Sequence, residues 1–209
     1  MRINELVNLT ENRSRSCIVV DVQPEYCGIY DGDESPVCVD IINFVNKQTG
    51  PILMLVNAEE QGLTRDTIKD IKVYWEDSGF DPSNWSRVEI VDKGYGYFRS
   101  WMDSGIDPSV IIKIIREMYS QRVTDSRDLF QKIYNHSYED LMTQLIGQTP
   151  TSTQLYDPII VEWTSVAQLK KFNGSYIVGG ARNECLREVE LLMNAFNIKY
   201  KRIDSLVYG

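Results

Sequence analysis

Short apolar runs alternate with amphipathic stretches along most of the 209-residue chain. Each run has the length of a β-strand, and polar residues border it on both sides. A run that is apolar throughout is typical of a parallel strand, because both faces of a parallel sheet are buried. We predict strands at 17–20, 52–56, 87–91, 159–161, 176–178 and 199–203.

Apolar residues at helical spacing lie between these runs. Ser35 and Pro36 supply an N-cap and a first helical residue. Thr64 is the predicted N-cap of a helix that runs to about Asp77, and Asp107 precedes another helix. Further helices are predicted at about 126–135, 137–146, 165–172 and 183–196. Strands that alternate with helices predict an α/β fold, a three-layer sandwich whose mainly parallel sheet has helices on both faces.

The composition is that of an ordinary globular domain, with 43% hydrophobic and 25% charged residues. A formal net charge of -8 argues against a nucleic-acid or anionic-membrane partner, because phosphates would be repelled. Residues 1–16 contain no apolar segment of the kind that secretory signals have, and no run is long enough to span a bilayer. We therefore expect a cytoplasmic protein that acts on a small molecule.

The cysteines and the single histidine restrict the chemistry. Cys17, Cys27, Cys38 and Cys185 show no CxxC spacing and are expected to be separate, reduced thiols, the first three of them structural or incidental. His136 is the only imidazole, which excludes any site that needs two. Dinucleotide-binding and P-loop patterns are also absent from the sequence. We predict neither a bound metal nor a cofactor.

Three reactive residues follow three of the predicted strands. Ligands bind at the carboxyl ends of parallel strands, and Asp21, Lys93 and Cys185 each lie beyond such an end. Cys185 is predicted just inside the first turn of a helix, where the helix dipole and a nearby Lys93 would lower the thiol pKa. Asp21 could take the thiol proton. The small residues 179–181 leave room for backbone N–H groups to face an oxyanion.

Each of these residues also has a simpler structural interpretation. A cysteine near a helix start is usually a small core residue. An aspartate that ends a strand is often a cap or turn residue, and a lysine in a Gly-rich loop is usually solvated. Two adjacent glycines can simply form a tight turn between a strand and a helix. One residue alone therefore predicts little, and the prediction depends on their combination.

The combination resembles the isochorismatase-like cysteine hydrolases, a family that includes nicotinamidases and carbamoylsarcosine amidases. The first motif is V-V-D-V-Q-P-E-Y at 19–26, and the second is K-G-Y-G-Y-F at 93–98. The third, G-G-A-R-N-E-C at 179–185, opens a helix, and Ile203-Asp204-Ser205 closes the last strand. The resemblance covers roughly two-thirds of the chain.

The resemblance implies a catalytic triad, with Asp21 as general base, Lys93 as activator and Cys185 as nucleophile. The backbone N–H groups of Ala181 and Cys185 would form the oxyanion hole, with a cis peptide bond before Ala181. The implied reaction is hydrolysis of an amide, imide or ureido C–N bond of a small molecule through a covalent acyl-enzyme. The predicted substrate-pocket residues are Gln23, Tyr26, Tyr97, Phe98 and Arg182, of which the three aromatic residues are equally compatible with core packing.

The chain departs from the family pattern in three ways. Arg182 stands where the family usually has Thr. If its side chain turns inward, it binds an anionic group of the substrate or is held by Glu184 or Asp204. If it turns outward, it is a surface cation. The nicotinamidase-type metal site is absent, because no histidine lies between the first two motifs. An excess of chain at about 105–157 predicts a helical insertion within a single domain spanning 1–209, interpreted as a lid, an oligomer contact or a binding module.

The resemblance also implies a homo-oligomer. The insertion offers a candidate contact through a second set of apolar residues, namely Leu129, Phe130, Ile133, Leu141, Leu145 and Ile146, although packing back onto the core would explain them nearly as well. Two other functions remain open. One is a catalytically inactive binding or interaction protein on the same fold, and the other is an isochorismate-type vinyl-ether hydrolase that does not rely on the cysteine.

Overall fold

The computed structural model describes residues 15–32, 34–57, 65–93, 95–96, 98–147 and 158–209. Its strands are β1 (Cys17–Val20), β2 (Ile52–Val56), β3 (Val88–Asp92), β4 (Tyr95–Gly96), β5 (Ile160–Val161), β6 (Ser175–Gly179) and β7 (Tyr200–Val207). Its α-helices are α1 (Pro36–Asn46), α2 (Ile68–Asp77), α3 (Phe98–Asp103), α4 (Pro108–Gln121), α5 (Ser126–Asp128), α6 (Tyr138–Ile146), α7 (Trp163–Lys171) and α8 (Cys185–Ala195). In the described part of the chain, no helix has the length and apolar character needed to cross a membrane.

Five strands form the main sheet, in the order β3-β2-β1-β6-β7, and its neighbouring strands pair in parallel. The predicted α/β fold with a parallel sheet flanked by helices is therefore confirmed. All side chains of β1, β2 and β6 are buried. Both faces of the inner strands are thus covered, as a three-layer sandwich requires, and this explains why these strands are apolar throughout.

One face of the sheet packs against α1 and α2. Ile41 and Ile42 of α1 and Ile71 and Trp75 of α2 are fully buried in a cluster with alternate residues of β1, β2 and β6. Burying each such aliphatic side chain contributes roughly 1.5–3 kcal/mol. The indole N–H of Trp75 also donates to the carbonyl oxygen of Val22 at 2.8 Å, which ties α2 to the chain just beyond β1.

The helix starts differ in detail from the prediction. The second helix is capped by Thr67, not by Thr64, which lies outside the described residues. Thr67 and Asp70 form a reciprocal capping box, in which each side chain accepts from the other's backbone N–H. Ser35 occupies the predicted N-cap of α1, but its side chain makes no capping hydrogen bond. Asp107 caps α4 as predicted, by accepting from the N–H of Ser109.

The chain divides into two compact units. One unit contains the described parts of 1–93, 172–186 and 199–209, including the whole main sheet, and the other contains those of 94–171 and 187–198. The described part of the predicted insertion belongs to the second unit, and its predicted loop at 148–157 lies outside the described residues. The single-domain description and the boundaries of the insertion stay predictions.

The apolar residues of the predicted insertion are only partly available for an oligomer contact. Leu129 and Phe130 are buried within the chain, whereas Leu141 and Leu145 are half-buried. The side chains of Ile133 and Ile146 lie outside the described part. The first two residues therefore favour packing within the chain over the predicted contact between subunits.

Candidate functional site

The three candidate catalytic residues lie beyond the carboxyl ends of three strands of one sheet. Asp21 directly follows β1, Lys93 directly follows β3, and Cys185 begins the helix that comes after β6. β1 pairs with β2 and β6 on its two sides, and β2 pairs with β3. Because all these pairings are parallel, the three strands end at the same edge of the sheet.

A buried ion pair joins two of these residues. The Nζ atom of Lys93 lies 2.6 Å from Oδ2 of Asp21, and the two side chains are only 3% and 1% exposed. The other carboxylate oxygen of Asp21, Oδ1, is buried and has no hydrogen-bond partner among the described residues. Removing each charge from water costs several kcal/mol, and the short contact between the two charges offsets this cost. It leaves one carboxylate oxygen available to receive a proton.

The backbone of Asp21 is held by three hydrogen bonds. Its φ of 54° lies in the left-handed region, which is uncommon for a residue other than glycine. The N–H of Asp21 donates to Leu55, and its carbonyl oxygen accepts from the N–H of Gln23 at 2.9 Å and from the hydroxyl of Tyr208 at 2.6 Å. Such a conformation persists where the surroundings fix it.

The turn after β6 requires both of its glycines. Gly179 has a φ of 111°, and a Cβ there would lie 2.1 Å from the backbone oxygen of Val20. A Cβ on Gly180 would lie 2.5 Å from the ring of Tyr208. The peptide bond between Gly180 and Ala181 is cis, so the geometry expected from the resemblance is confirmed. The two glycines thus allow the turn to approach β1 and Tyr208 closely.

Cys185 is the first residue of α8 and so lies in its first turn as predicted, although the helix begins at 185 and not at 183. Residues 182–184 form a turn instead of helix, because the carbonyl oxygen of Ala181 accepts from the N–H groups of Glu184 and Leu186. The thiol takes part in no disulfide and is half-buried. The positive end of the helix dipole lies at this position, and it favours a thiolate.

The other three cysteines are free and buried. Burial raises the pKa of the Cys17 thiol to about 12. A hydrogen bond with Cys38, together with burial, raises the pKa of Cys27. The thiols of Cys17 and Cys27 therefore stay protonated near neutral pH and are poor nucleophiles. Their structural interpretation is therefore supported, and Cys185 differs from Cys17, Cys27 and Cys38 in its exposure.

Tyr26 lies within the electrostatic range of all three candidate catalytic residues. Burial raises the pKa of Tyr26, and the charges of Asp21 and Cys185 raise it further, whereas the hydrogen bond from Asn57 and the charge of Lys93 lower it. The residue is still 37% exposed, and its hydroxyl oxygen accepts from the amide of Asn57 at 3.2 Å. Tyr26 is therefore a neutral hydroxyl at the accessible margin of the site.

Gln23 is buried and takes part in a framework of hydrogen bonds around the loop after β1, and its contact with a substrate stays a prediction. Its amide nitrogen donates to the carbonyl oxygen of Asn57 at 2.9 Å and to Asp66 at 2.8 Å, and its amide oxygen accepts from the N–H of Asn57. Asp66 also accepts from the N–H of Glu25 and the hydroxyl of Tyr30. This completely buried amide, bonded to two other segments of the chain, fixes the loop after β1.

Three residues of this framework escaped the sequence prediction. Asn57 follows the buried strand β2, so the reasoning that selected Asp21 and Lys93 would have found it. Asp66 and Tyr208 belong to no periodic pattern and no recognised motif. Their roles depend on contacts across long stretches of chain, from Asp66 to Gln23 and from Tyr208 to Asp21, which sequence spacing does not reveal.

Arg182 is held by Asp204. Its guanidinium donates to the backbone oxygen of Asp204 at 3.3 Å and lies 3.7 Å from the carboxylate, and both side chains are substantially exposed. Asp204 is one of the two carboxylates expected to hold this arginine. An exposed pair of this length contributes little to stability. Contact of Arg182 with a substrate stays a prediction.

The other two pocket residues cannot be compared with the structure. Tyr97 lies outside the described residues, and Phe98 begins α3 but its side chain is outside them too. Within the described ranges, no group of three His, Cys, Asp or Glu side chains is arranged to hold a metal ion.

Comparisons with protein-family models, with curated proteins and with solved structures found no match to this chain.

Proposed function

We propose that this chain is a cysteine-dependent hydrolase that cleaves an amide, imide or ureido C–N bond of a small molecule, as the isochorismatase-like enzymes that it resembles do. The observation that carries the proposal is the buried Asp21–Lys93 ion pair, whose second carboxylate oxygen has no partner among the described residues. A desolvated charge pair is weak evidence for stability, but it is typical of a site that moves protons. Cys185 supplies a half-buried thiol at the same edge of the sheet.

The first half of the reaction forms an acyl-enzyme. Asp21 accepts the proton of the Cys185 thiol, while Lys93 and the N-terminus of α8 stabilise the thiolate. The sulfur attacks the substrate carbonyl carbon, and the oxyanion that forms is bound by the backbone N–H groups of Ala181 and Cys185. The C–N bond then breaks, and Asp21 returns the proton to the leaving nitrogen. A thioester on Cys185 and a free amine, or ammonia, result.

The second half releases the acid. Asp21 takes a proton from water, and the resulting hydroxide attacks the thioester carbonyl. The C–S bond breaks, and the sulfur recovers its proton from Asp21. The sum is amide plus water giving acid plus amine, with the enzyme unchanged. The proposed reaction thus needs no cofactor, and we propose that it takes place in the cytoplasm, in a homo-oligomer.

The test is a screen of small amides, imides and ureides, read as release of ammonia or acid, with wild-type protein and the Cys185→Ala variant side by side. We expect hydrolysis by the wild type, at least 100-fold slower hydrolysis by the variant, and a mass increase on Cys185 when the reaction is quenched early. Cys38→Ala is the matched control, because it removes a buried thiol that has no proposed role.

The same screen separates the alternatives. Hydrolysis of isochorismate that survives Cys185→Ala would contradict the cysteine mechanism and support a vinyl-ether hydrolase. Saturable ligand binding without turnover, combined with a Cys185 no more reactive than an ordinary thiol, would support the inactive binding protein instead.

A further inference from the structure

Tyr208 contacts both sides of the candidate site. Its hydroxyl bonds to Asp21, the residue after β1, and its backbone bonds to Gly179 and Arg182, at the turn between β6 and α8. Asp21 belongs to the first of these segments, and Cys185 lies at the end of the second. The motifs that point to the catalytic residues do not include Tyr208.

The hydroxyl of Tyr208 donates to the backbone carbonyl oxygen of Asp21 at 2.6 Å, a short hydrogen bond. Asp21 is in the left-handed region there, with a φ of 54°, and its carboxylate direction depends on that conformation. Loss of surrounding solvent raises the pKa of Tyr208 well above its ordinary value, and nearby groups, including Cys27 and Asp21, add to the rise. The phenol therefore remains a proton donor to Asp21 throughout the neutral range.

The backbone of Tyr208 spans the glycine turn. Its N–H donates to the carbonyl oxygen of Gly179 at 3.3 Å, and its own carbonyl oxygen accepts from the N–H of Arg182 at 2.9 Å. Between these two bonds, the ring covers Gly180 so closely that a Cβ there would lie 2.5 Å from ring carbon Cε2. The turn that leads to Cys185 is thus fixed at both ends and along its middle.

We propose that Tyr208 is a positioning residue that holds the Asp21 carboxylate in the orientation needed to take the thiol proton of Cys185. The proposal rests on the proposed function, because it concerns the same proton transfer. Tyr208 acts on the proton transfer through Asp21. Its hydroxyl fixes the backbone of Asp21, and its main chain fixes the turn that leads to Cys185. A displacement of even a fraction of an ångström between base and nucleophile lowers the rate of such a transfer.

The test compares alkylation of Cys185 by iodoacetamide, resolved by peptide mass spectrometry between pH 5 and 10. The proteins are wild type, Tyr208→Phe, Asp21→Asn and the double variant Asp21→Asn/Tyr208→Phe. Tyr208→Phe keeps the ring and the backbone bonds and removes only the hydroxyl. We expect it to slow alkylation at pH 7 about fivefold and to move the pH midpoint toward that of an ordinary thiol. In the Asp21→Asn background, the same substitution should change the rate by less than about twofold.

The control is Tyr138→Phe, which removes another buried tyrosine hydroxyl, one that accepts from the indole of Trp101 at 3.1 Å. It should leave the pH profile of Cys185 unchanged, and thermal denaturation should show that every variant is folded at the assay temperature. A wild-type rate and midpoint in Tyr208→Phe would overturn the proposal, as would an undiminished effect in the Asp21→Asn background. If wild-type Cys185 itself reacts no faster than in unfolded protein, the hydrolase proposal fails first and the role of Tyr208 fails with it.

Discussion

The centre of the main sheet and its carboxyl edge consist of the same strands, but their buried residues differ in kind. In the centre, β1 and β2 contribute apolar side chains that are at most 1% exposed. At the edge, the residues that follow these strands and β3 are Asp21, Asn57 and Lys93, which are nearly as buried. The centre is stabilised by burial itself, whereas the edge depends on specific partners for its buried polar groups, and among the described residues Oδ1 of Asp21 is left without one.

The carboxyl edge of the sheet departs from the rules that make the rest of the fold stable. The edge combines a left-handed aspartate, a desolvated ion pair and two glycines packed against backbone or ring atoms. None of these features is what a sequence optimised only for stability would contain. Departures of this kind concentrate at functional sites, where geometry matters more than stability.

The largest expected effect comes from breaking the ion pair. Lys93→Met leaves the Asp21 carboxylate buried without its cation, and we expect the free energy of unfolding to fall by about 3–5 kcal/mol. Adding Asp21→Asn removes the uncompensated charge and should restore most of that loss. Cys185 reactivity should stay low in both variants. Urea denaturation and site-resolved alkylation check the two statements separately, and a double variant that regains reactivity would contradict the role of the pair.

A smaller effect is expected at the glycine turn. Gly179→Ala places a Cβ 2.1 Å from the backbone oxygen of Val20, in a conformation with a φ of 111°. We expect destabilisation of about 2–4 kcal/mol, because backbone atoms cannot move away as a side chain can. Gly174→Ala is the control, since it has a φ of 84° but no atom within 4 Å of its Cβ. It should cost only about 1–2 kcal/mol, and equal losses in thermal denaturation would refute the steric argument.

The buried thiol of Cys17, at the centre of the sheet, should make the stability of the protein depend on pH in the alkaline range. Its pKa is raised from 9.0 to about 12 in the folded protein, so between these values the unfolded thiol ionises while the folded thiol keeps its proton. The folded state then binds more protons, and stability is lost as the pH rises. Cys17→Ala should reduce this loss by at most about 1.4 kcal/mol per pH unit. Urea unfolding at several pH values gives both slopes, and identical slopes would contradict the burial of this thiol.

The smallest effect is expected at the accessible margin of the edge. Tyr26→Phe removes a hydroxyl that accepts from Asn57 at 3.2 Å on a residue that is 37% exposed. We expect a loss of about 0.5–1 kcal/mol and less than threefold change in Cys185 alkylation. Tyr208→Phe, which removes a hydroxyl bonded directly to Asp21, is the matched comparison. If Tyr26→Phe changed the alkylation of Cys185 more than Tyr208→Phe did, the proposed distinction between the accessible margin of the site and its hydrogen-bonded framework would be wrong.

The centre was predictable from the sequence, whereas the edge was predictable only in part. Uninterrupted apolar runs identified β1 and β2, because a strand that is buried on both faces consists of apolar residues throughout. Asp21, Lys93 and Cys185 could be selected because each directly follows a strand or opens a helix. The bonds of Gln23 to Asp66 and of Tyr208 to Asp21 could not be predicted, because the residues that they join differ by 43 and 187 in number. The sequence prediction consequently did not include the hydrogen bonds of Gln23 that fix the loop after β1.

The most direct test of the central claim is the rate at which iodoacetamide alkylates each of the four cysteines of the folded wild-type protein at pH 7. The claim is that Cys185, Asp21 and Lys93 form one reactive site. It predicts that Cys185 reacts at least tenfold faster than the same thiol in urea-unfolded protein, and that Asp21→Asn abolishes the difference. Cys17, Cys27 and Cys38 should remain unmodified under these conditions. A Cys185 that reacts at the unfolded rate, or that is unaffected by Asp21→Asn, would contradict it.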